Sequence, residues 1–443
     1  FIGILEELFI DNYLKLPKFL KPKYFATIIN FLCLLFEERC VLKNKHEMLP
    51  DFIKRLSVVS LQFYSSSNDE KFYRRDLTDG KGSLQHDCTL AAGMPHFASG
   101  LFRVWGRDTF ISLRGLLLSF KRFEEAKQII LLFGRSMKGG LIPNLLGDGY
   151  EHAKYNSRDA VWWWLKSICD FCEIQGNESI LEEKIILNHD PARKLITLGS
   201  LIHECLEQHS SAAPNNSLES IFVDESTGFV KGGTWHDSGT WMDKCDDSEE
   251  RKPSTPRDGA AIELQALLYS VLCWFSRSSF ARNNSEFLTV KWKKSQSMEL
   301  SKWAEILKMN FVKNFLFVSS NRNGNKRSYY SMADNYSDPG VHRGKSYHNG
   351  PEWVWVKLYH LTAMIKIFST DKSGQEFVFK RCKQELMKYE SRLNQNYYGS
   401  LEELTNNSGG HCADSCQSQA WSIAALVEFD MMFNSFIKSL GTE

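Results

Sequence analysis

The stretch Gly233-Thr234-Trp235-His236-Asp237-Ser238-Gly239-Thr240-Trp241-Met242-Asp243 holds two tryptophans, two glycines and two aspartates, and runs on into Asp246, Asp247, Glu249 and Glu250. Flat indoles beside carboxylates suit a sugar, because a pyranose has apolar C–H faces and a rim of hydroxyls that must be hydrogen-bonded. Hydrolysis of a glycosidic bond needs two carboxyls: one protonates the leaving oxygen, the other activates water or attacks carbon. Asp243 lies between aromatic residues at the end of a polar loop, where burial would raise its pKa toward that of a useful acid. Its plain structural alternative is a helix cap.

Other carboxylates compete. Asp108, Asp159 and Asp258 each follow an arginine, Arg107, Arg158 and Arg257. Cap positions favour the ionised form, so these pairs fit substrate hydroxyl binding or loop pinning better than proton donation. Glu352 lies in His348-Asn349-Gly350-Pro351-Glu352-Trp353, and Glu402 and Glu403 lie in a polar loop ahead of the last helix. The residue types alone leave the base open among Glu352, Glu402 and Glu403. Trp105, Trp241 and Trp353, each near a glycine in a loop, are candidates for stacking on sugar. Trp162, Trp163 and Trp164 cannot share one helix face, since successive residues turn by about 100°; one can meet a ligand while the others pack.

Helices must hold these loops. Phe25, Ile28, Ile29, Leu32 and Leu35 repeat with helical spacing in a helical lead-in, residues 1–75. Ser65 to Ser99 reads as an exposed crossing loop. Asp108 is placed to cap a helix reaching Leu118, and a second helix carrying Ala126, Ile129, Ile130 and Phe133 stops at Gly139-Gly140. Thr255-Pro256-Arg257-Asp258 has the makings of a helix start, ahead of a stripe at Leu264, Leu267, Leu268, Val271, Leu272 and Phe275. Ala420, Ile423, Ala424, Val427 and Met431 mark a last buried helix. Strand character is confined to short pieces such as Phe287 to Trp292. The three Arg-Asp pairs are separated by 51 and 99 residues, one and two helical hairpins apart; equivalent loops of a hairpin repeat would then gather at one mouth.

With 443 residues, 43% hydrophobic, and a net charge of +1, the chain can bury a full core but has no electrostatic case for nucleic acid or a membrane surface. The best apolar run, Phe25 to Phe36, is shorter than the roughly 18 residues of a membrane span. Eleven cysteines without framework spacing suit a reducing, cytoplasmic setting, with Cys169 and Cys172 as buried thiols. His411, Cys412 and Cys416 lack further ligands for zinc, and no cofactor or metal is expected.

The strings AAGMPHFASGLFRVWGRDTFISLRGLLL, LIPNLLGDG, YNSRDAVWWWL, SGTWMDK, TPRDGAAIE, HNGPEWVW, ELTN and SQAWSIA occur in this order. From about Leu90 onward the chain thereby resembles the C-terminal glucosidase half of the eukaryotic glycogen debranching enzymes. The resemblance implies an all-α (α/α)6 toroid, similar to glucoamylase, over residues 76–443. It also implies inverting hydrolysis of the single α-1,6-linked glucose left at a glycogen branch, with Asp243 as acid and Glu403 as base. Inversion leaves room for a water, so the carboxyls should lie roughly 6.5–9.5 Å apart. The expected partner is glycogen or a branched dextrin. The family's N-terminal 4-α-glucanotransferase domain has no counterpart in these strings. Between about Phe311 and Tyr347 the chain reads as tens of residues short, and Asn349 stands where glutamine is expected. Alternatives are a glucoamylase- or trehalase-like enzyme of the same class, or an inactive glycogen-binding fragment.

Overall fold

A computed structural model describes residues 50–67, 87–147, 152–211, 221–233, 239–243, 259–292, 296–315, 347–348, 351–405, 410, 412 and 415–441. The lead-in residues before 50, the start Thr255–Asp258 and His411 lie outside them. The chain divides into two compact units, Phe1–Gln62 and Phe63–Glu443. In the first, α1 (Asp51–Ser60) buries Ile53, Leu56 and Val59, a helical spacing that gives it one apolar face.

The second unit is mostly helical, with short paired strands. β1 (Tyr64–Ser67) pairs antiparallel with β2 (Asp87–Leu90). The expected exposed crossing loop is therefore partly a hairpin. Cys88 to Ala92 is buried, and the Cys88 thiol donates to Gln128 Oε1 at 2.7 Å. β3 (Gly93–Met94) follows, then a single 3-10 turn, Gly100–Phe102. α2 spans Gly106–Leu116, α3 Phe123–Arg135, α4 Ala160–Gln175, and α5 Leu198–Ser211 after the hairpin β4 (Lys184–Ile186) and β5 (Leu195–Thr197). The expected stop at Gly139-Gly140 comes four residues late, because Ser136 already leaves helical geometry with φ −90° and ψ 0°.

β6 (Ile221–Val223) and β7 (Val230–Gly232) pair ahead of α6 (Ile262–Phe275) and the short α7 (Ser279–Asn283). The predicted strand at Phe287–Trp292 splits into a 3-10 turn and β8 (Thr289–Trp292), which pairs with β9 (Gln296–Glu299) before α8 (Leu300–Phe315). β10 (Glu352–Trp353) leads into α9 (Val354–Phe368), then α10 (Lys372–Gln395), β11 (Leu404–Thr405), β12 (Ser418–Gln419) and α11 (Ala420–Ser439).

Helix packing runs α6 to α4, α4 to α2, α2 to α11 and α11 to α9, with α8 against α6, α3 against α4 and α10 against α9. α11 is long and apolar enough to cross a membrane by length and composition, yet 67% of its apolar window is buried inside the fold. In the sequence Glu428 and Asp430 break its apolar run, so the uncharged stretch is shorter than a span. Gly115 makes the α2–α11 approach possible: a Cβ there would sit 2.2 Å from the Ala424 carbonyl oxygen. α6 and α9 share no comparable packing. Each carries a partly exposed stripe at helical spacing: Ile262 and Ala266 exposed, with Tyr269 and Cys273 half-buried, on α6, and Val356, His360, Ala363 and Ile367 exposed on α9.

An ionic cluster ties α2, α4, α9 and α11 together. Arg114 reaches Asp170 and Glu428, each at 3.5 Å, Lys166 pairs with Asp170, and the Tyr359 hydroxyl donates to Glu428 at 3.5 Å. Burial pushes the Glu428 carboxyl up to about 7, partly offset by Arg114.

Candidate active site

The helices α2, α4, α9 and α11 bring their N-terminal ends toward one set of side chains. Gly106 permits the first of these junctions. Its N–H donates to the Asn144 carbonyl at 2.6 Å, and a Cβ there would lie 2.3 Å from the Pro143 carbonyl oxygen. Only glycine lets the Ile142-Pro143-Asn144 segment cross so near the helix start. Asp108 is not the cap expected from sequence. Trp105 holds the N-cap position, and Asp108 lies in the first turn, where its Oδ1 accepts from Gln419 Nε2 at 3.2 Å.

Arg107 is the hub. Its Nε and Nη2 donate to Asp159 Oδ2 and Oδ1 at 2.7 and 2.8 Å, a bidentate fork of the strongest kind. The same Nη2 reaches Asp243 Oδ2 at 3.0 Å, the Thr240 carbonyl at 3.4 Å and Ser157 Oγ at 3.3 Å. One guanidinium thus fixes the Asp243 loop to the start of α2. Burial works against the cation, but the Asp159 and Asp243 carboxylates outweigh it and hold the Arg107 pKa above its ordinary value. Asp159, with a fully buried side chain, is an anchor behind the cluster rather than a group that can reach a ligand. Arg158 also turns away, donating to the Tyr155 carbonyl at 3.1 Å. Arg257 and Asp258 lie outside the described residues.

The three glutamates left open by the sequence separate clearly. Glu402 pairs with Arg392 on α10, and Glu352 with Lys357 at 2.9 Å. Glu403, through its charge, helps to raise the pKa of Asp108. Its backbone is pinned on both sides: its N–H donates to the Cys416 carbonyl at 2.9 Å, and its carbonyl accepts from Val354 N–H at 3.2 Å. The Tyr347 hydroxyl donates to Glu403 Oε1, and the Cys416 N–H approaches Oε2 at 3.4 Å. The pairings Glu352 with Thr405, Trp353 with Leu404, and Gln419 with Gly93 lace these loops together. Asp108 stands among the charges. Burial raises its carboxyl to about 7, Arg107 opposes this, and Glu403 and Asp243 add to it.

Aromatic rings wall the cluster. Trp241 meets His348, Trp353 and Trp355 with centroids 5.2–5.4 Å apart, and His348 Nδ1 lies 3.7 Å from Asp243 Oδ1. Trp353 is 4% exposed, packed by Tyr347, His348 and Trp421, so it supports the wall from behind. Trp105 is half-buried and is the more accessible of the three tryptophans expected to stack. In the triple run, Trp162 packs on His209 and Trp164 donates to the Ile130 carbonyl at 3.0 Å. Trp163 turns toward Trp355 in the wall, 6.2 Å between centroids. Sequence reasoning missed Tyr347, Gln419, Trp355 and Trp421. Trp355, Gln419 and Trp421 lie inside motifs already singled out and Tyr347 immediately precedes one, which was the available signal.

The chain is 29% identical over 539 residues to the glycogen debranching enzyme of Saccharomyces cerevisiae, covering 94% of this chain and 34% of that protein. It thus spans about a third of the relative, and the alignment is longer than the chain itself. The model of the family described as amylo-alpha-1,6-glucosidase matches residues 58–338 and 325–428, two pieces that meet where the sequence reads as shortened. The chain belongs to the amylo-alpha-1,6-glucosidase family.

Proposed function

We propose that this chain hydrolyses the α-1,6-linked glucose at glycogen branch points with inversion, Asp243 serving as general acid and Glu403 as general base. The observation that carries this reading is that two consecutive residues, Tyr347 and His348, adjoin the two carboxyls. Tyr347 donates to Glu403 Oε1, and His348 Nδ1 lies 3.7 Å from Asp243 Oδ1, within the aromatic wall around Trp241 and Trp353. Arg107 engages Asp243 Oδ2, so in this mechanism the proton for the leaving oxygen is carried on Oδ1. Tyr347 and the Cys416 N–H orient Glu403 toward a water on the other face of the sugar. Asp108, Trp105, Trp241 and His348 contact the glucose, and Arg107 with Asp159 holds the acid loop.

The helix order α6–α4–α2–α11–α9, with outer helices on α4, α6 and α9, is the support for an (α/α)6 toroid. Glycogen or a branched dextrin is the substrate, and the cysteine pattern favours the cytoplasm. Glucanotransferase activity belongs, in this reading, to sequence outside this chain. A second reading, an inactive glycogen-binding fragment, is favoured by one observation, the partly exposed stripes on α6 and α9.

The test is free glucose released from a singly branched α-1,6-glucosyl dextrin, with Asp243→Asn and Glu403→Gln as controls. Release lost in both variants supports the assignment. A cooperatively melting parent that binds glycogen and releases no glucose supports the second reading.

A further inference from the structure

Four aromatic rings occupy the ten residues from His96 to Trp105. Phe102, at the end of the 3-10 turn Gly100–Phe102, is 52% exposed. Its ring lies nearly parallel to that of Trp105, at 17° with centroids 6.3 Å apart. Phe97 meets the same indole edge-on at 6.4 Å, and His96 lies 6.3 Å from Phe97. The patch is braced. Trp105 Nε1 donates to the Phe102 carbonyl at 2.7 Å, which fixes the indole against the turn. Beneath it Arg103 donates to Thr89 Oγ1 at 2.5 Å and to the Phe63 carbonyl at 3.2 Å. Exposing a phenylalanine forgoes the burial its apolar ring favours, and here a hydrogen-bonded turn holds it outward.

The patch continues into the carboxyl cluster, because Trp105 precedes Arg107 by two residues and Asp108 by three. Asp108, Arg107 and Glu403 are buried while Phe102 is exposed. In an enzyme that removes one terminal glucose, that glucose occupies the enclosed carboxyls, and whatever lies outside is the chain left behind. An α-glucan presents apolar C–H faces that complement flat rings. We propose that Phe102, backed by Trp105 and Phe97, is a stacking subsite for the α-1,4-glucan chain that carries the branch. This rests on the glucosidase reading above.

The test compares Phe102→Ala and Phe102→Trp with the parent on two substrates. One is a singly branched α-1,6-glucosyl dextrin; the other is α-glucosyl fluoride, which has no chain to stack. The expected result for Phe102→Ala is a roughly tenfold rise in KM for the dextrin and a loss in kcat/KM at least five times larger for the dextrin than for the fluoride. Phe102→Trp restores the dextrin KM. Equal losses on both substrates, or an unchanged dextrin KM, overturn the subsite. If the parent turns over neither substrate, the glucosidase reading fails, and calorimetric titration with the dextrin decides the subsite alone. Weaker binding in Phe102→Ala, recovered in Phe102→Trp, then supports it, and equal binding by all three proteins overturns it.

Discussion

Tyr347→Phe removes one oxygen and leaves the ring. The phenyl group keeps its packing against Trp353 and His348, whose centroids lie 5.1 and 5.0 Å away, so the fold should be retained. What is lost is the hydroxyl that donates to Glu403 Oε1. A hydrogen bond to a charged group contributes about 1.5–3 kcal/mol. If the carboxylate must be oriented to activate water, the transition state loses that amount, a roughly 10- to 100-fold drop in kcat. KM should move little, because the hydroxyl serves the base and not the sugar. A carboxylate without its donor is protonated more readily, so the acid limb of the pH profile shifts upward. The assay is steady-state release of glucose from the singly branched dextrin between pH 4 and 8, with a thermal melt of each protein. An unchanged kcat and pH profile in a variant that melts like the parent would refute the positioning role. A change confined to KM would make Tyr347 a sugar-binding residue instead.

Three other outcomes follow from the packing. Arg107→Ala leaves the fully buried Asp159 carboxylate without its fork and should cost about 3–5 kcal/mol; a large drop in Tm, partly recovered in Arg107→Ala with Asp159→Ala, is expected, and an unchanged Tm would contradict it. Glu428 has its pKa raised from 4.5 to about 7, so the folded state holds its proton longer than the unfolded one and loses stability as pH rises from about 4 through 7. Glu428→Gln cannot ionise and should gain up to roughly 3 kcal/mol over the parent at pH 8 but almost nothing at pH 4; parallel curves of Tm against pH would sink the argument. Gly115→Ala improves helix propensity by about 1 kcal/mol, but its Cβ would meet the Ala424 carbonyl oxygen at 2.2 Å. Steric separation of α2 and α11 should win, giving a net loss of about 1–3 kcal/mol by chemical denaturation, and a neutral result would show that the helices can part freely.

What was legible in the sequence was local. Helical spacing of apolar residues located α6 and α11, because a buried stripe must recur every three to four residues whatever it packs against. Trp241 beside Asp243, and the Trp105–Asp108 run, were legible as chemistry because such residue types are poor core material. Limits appeared wherever a partner distant in sequence decides. Asp108 looked like a cap, yet Gln419, 311 positions away, takes its carboxyl. Cys88 to Ala92 read as an exposed loop, but a strand partner and α3 cover it.

The sequence by itself determined the helical class and the residue types of the site, since periodicity and the pairing of aromatics with carboxylates are properties of short stretches. It also carried the motifs of the family. The tertiary structure decided which neighbours each carboxyl has. Glu352, Glu402 and Glu403 are chemically alike and within 51 residues of one another, and only their neighbours, Lys357, Arg392 and Tyr347, distinguish them. Charge partners are chosen by packing across the chain, and a list of residues contains no such distances.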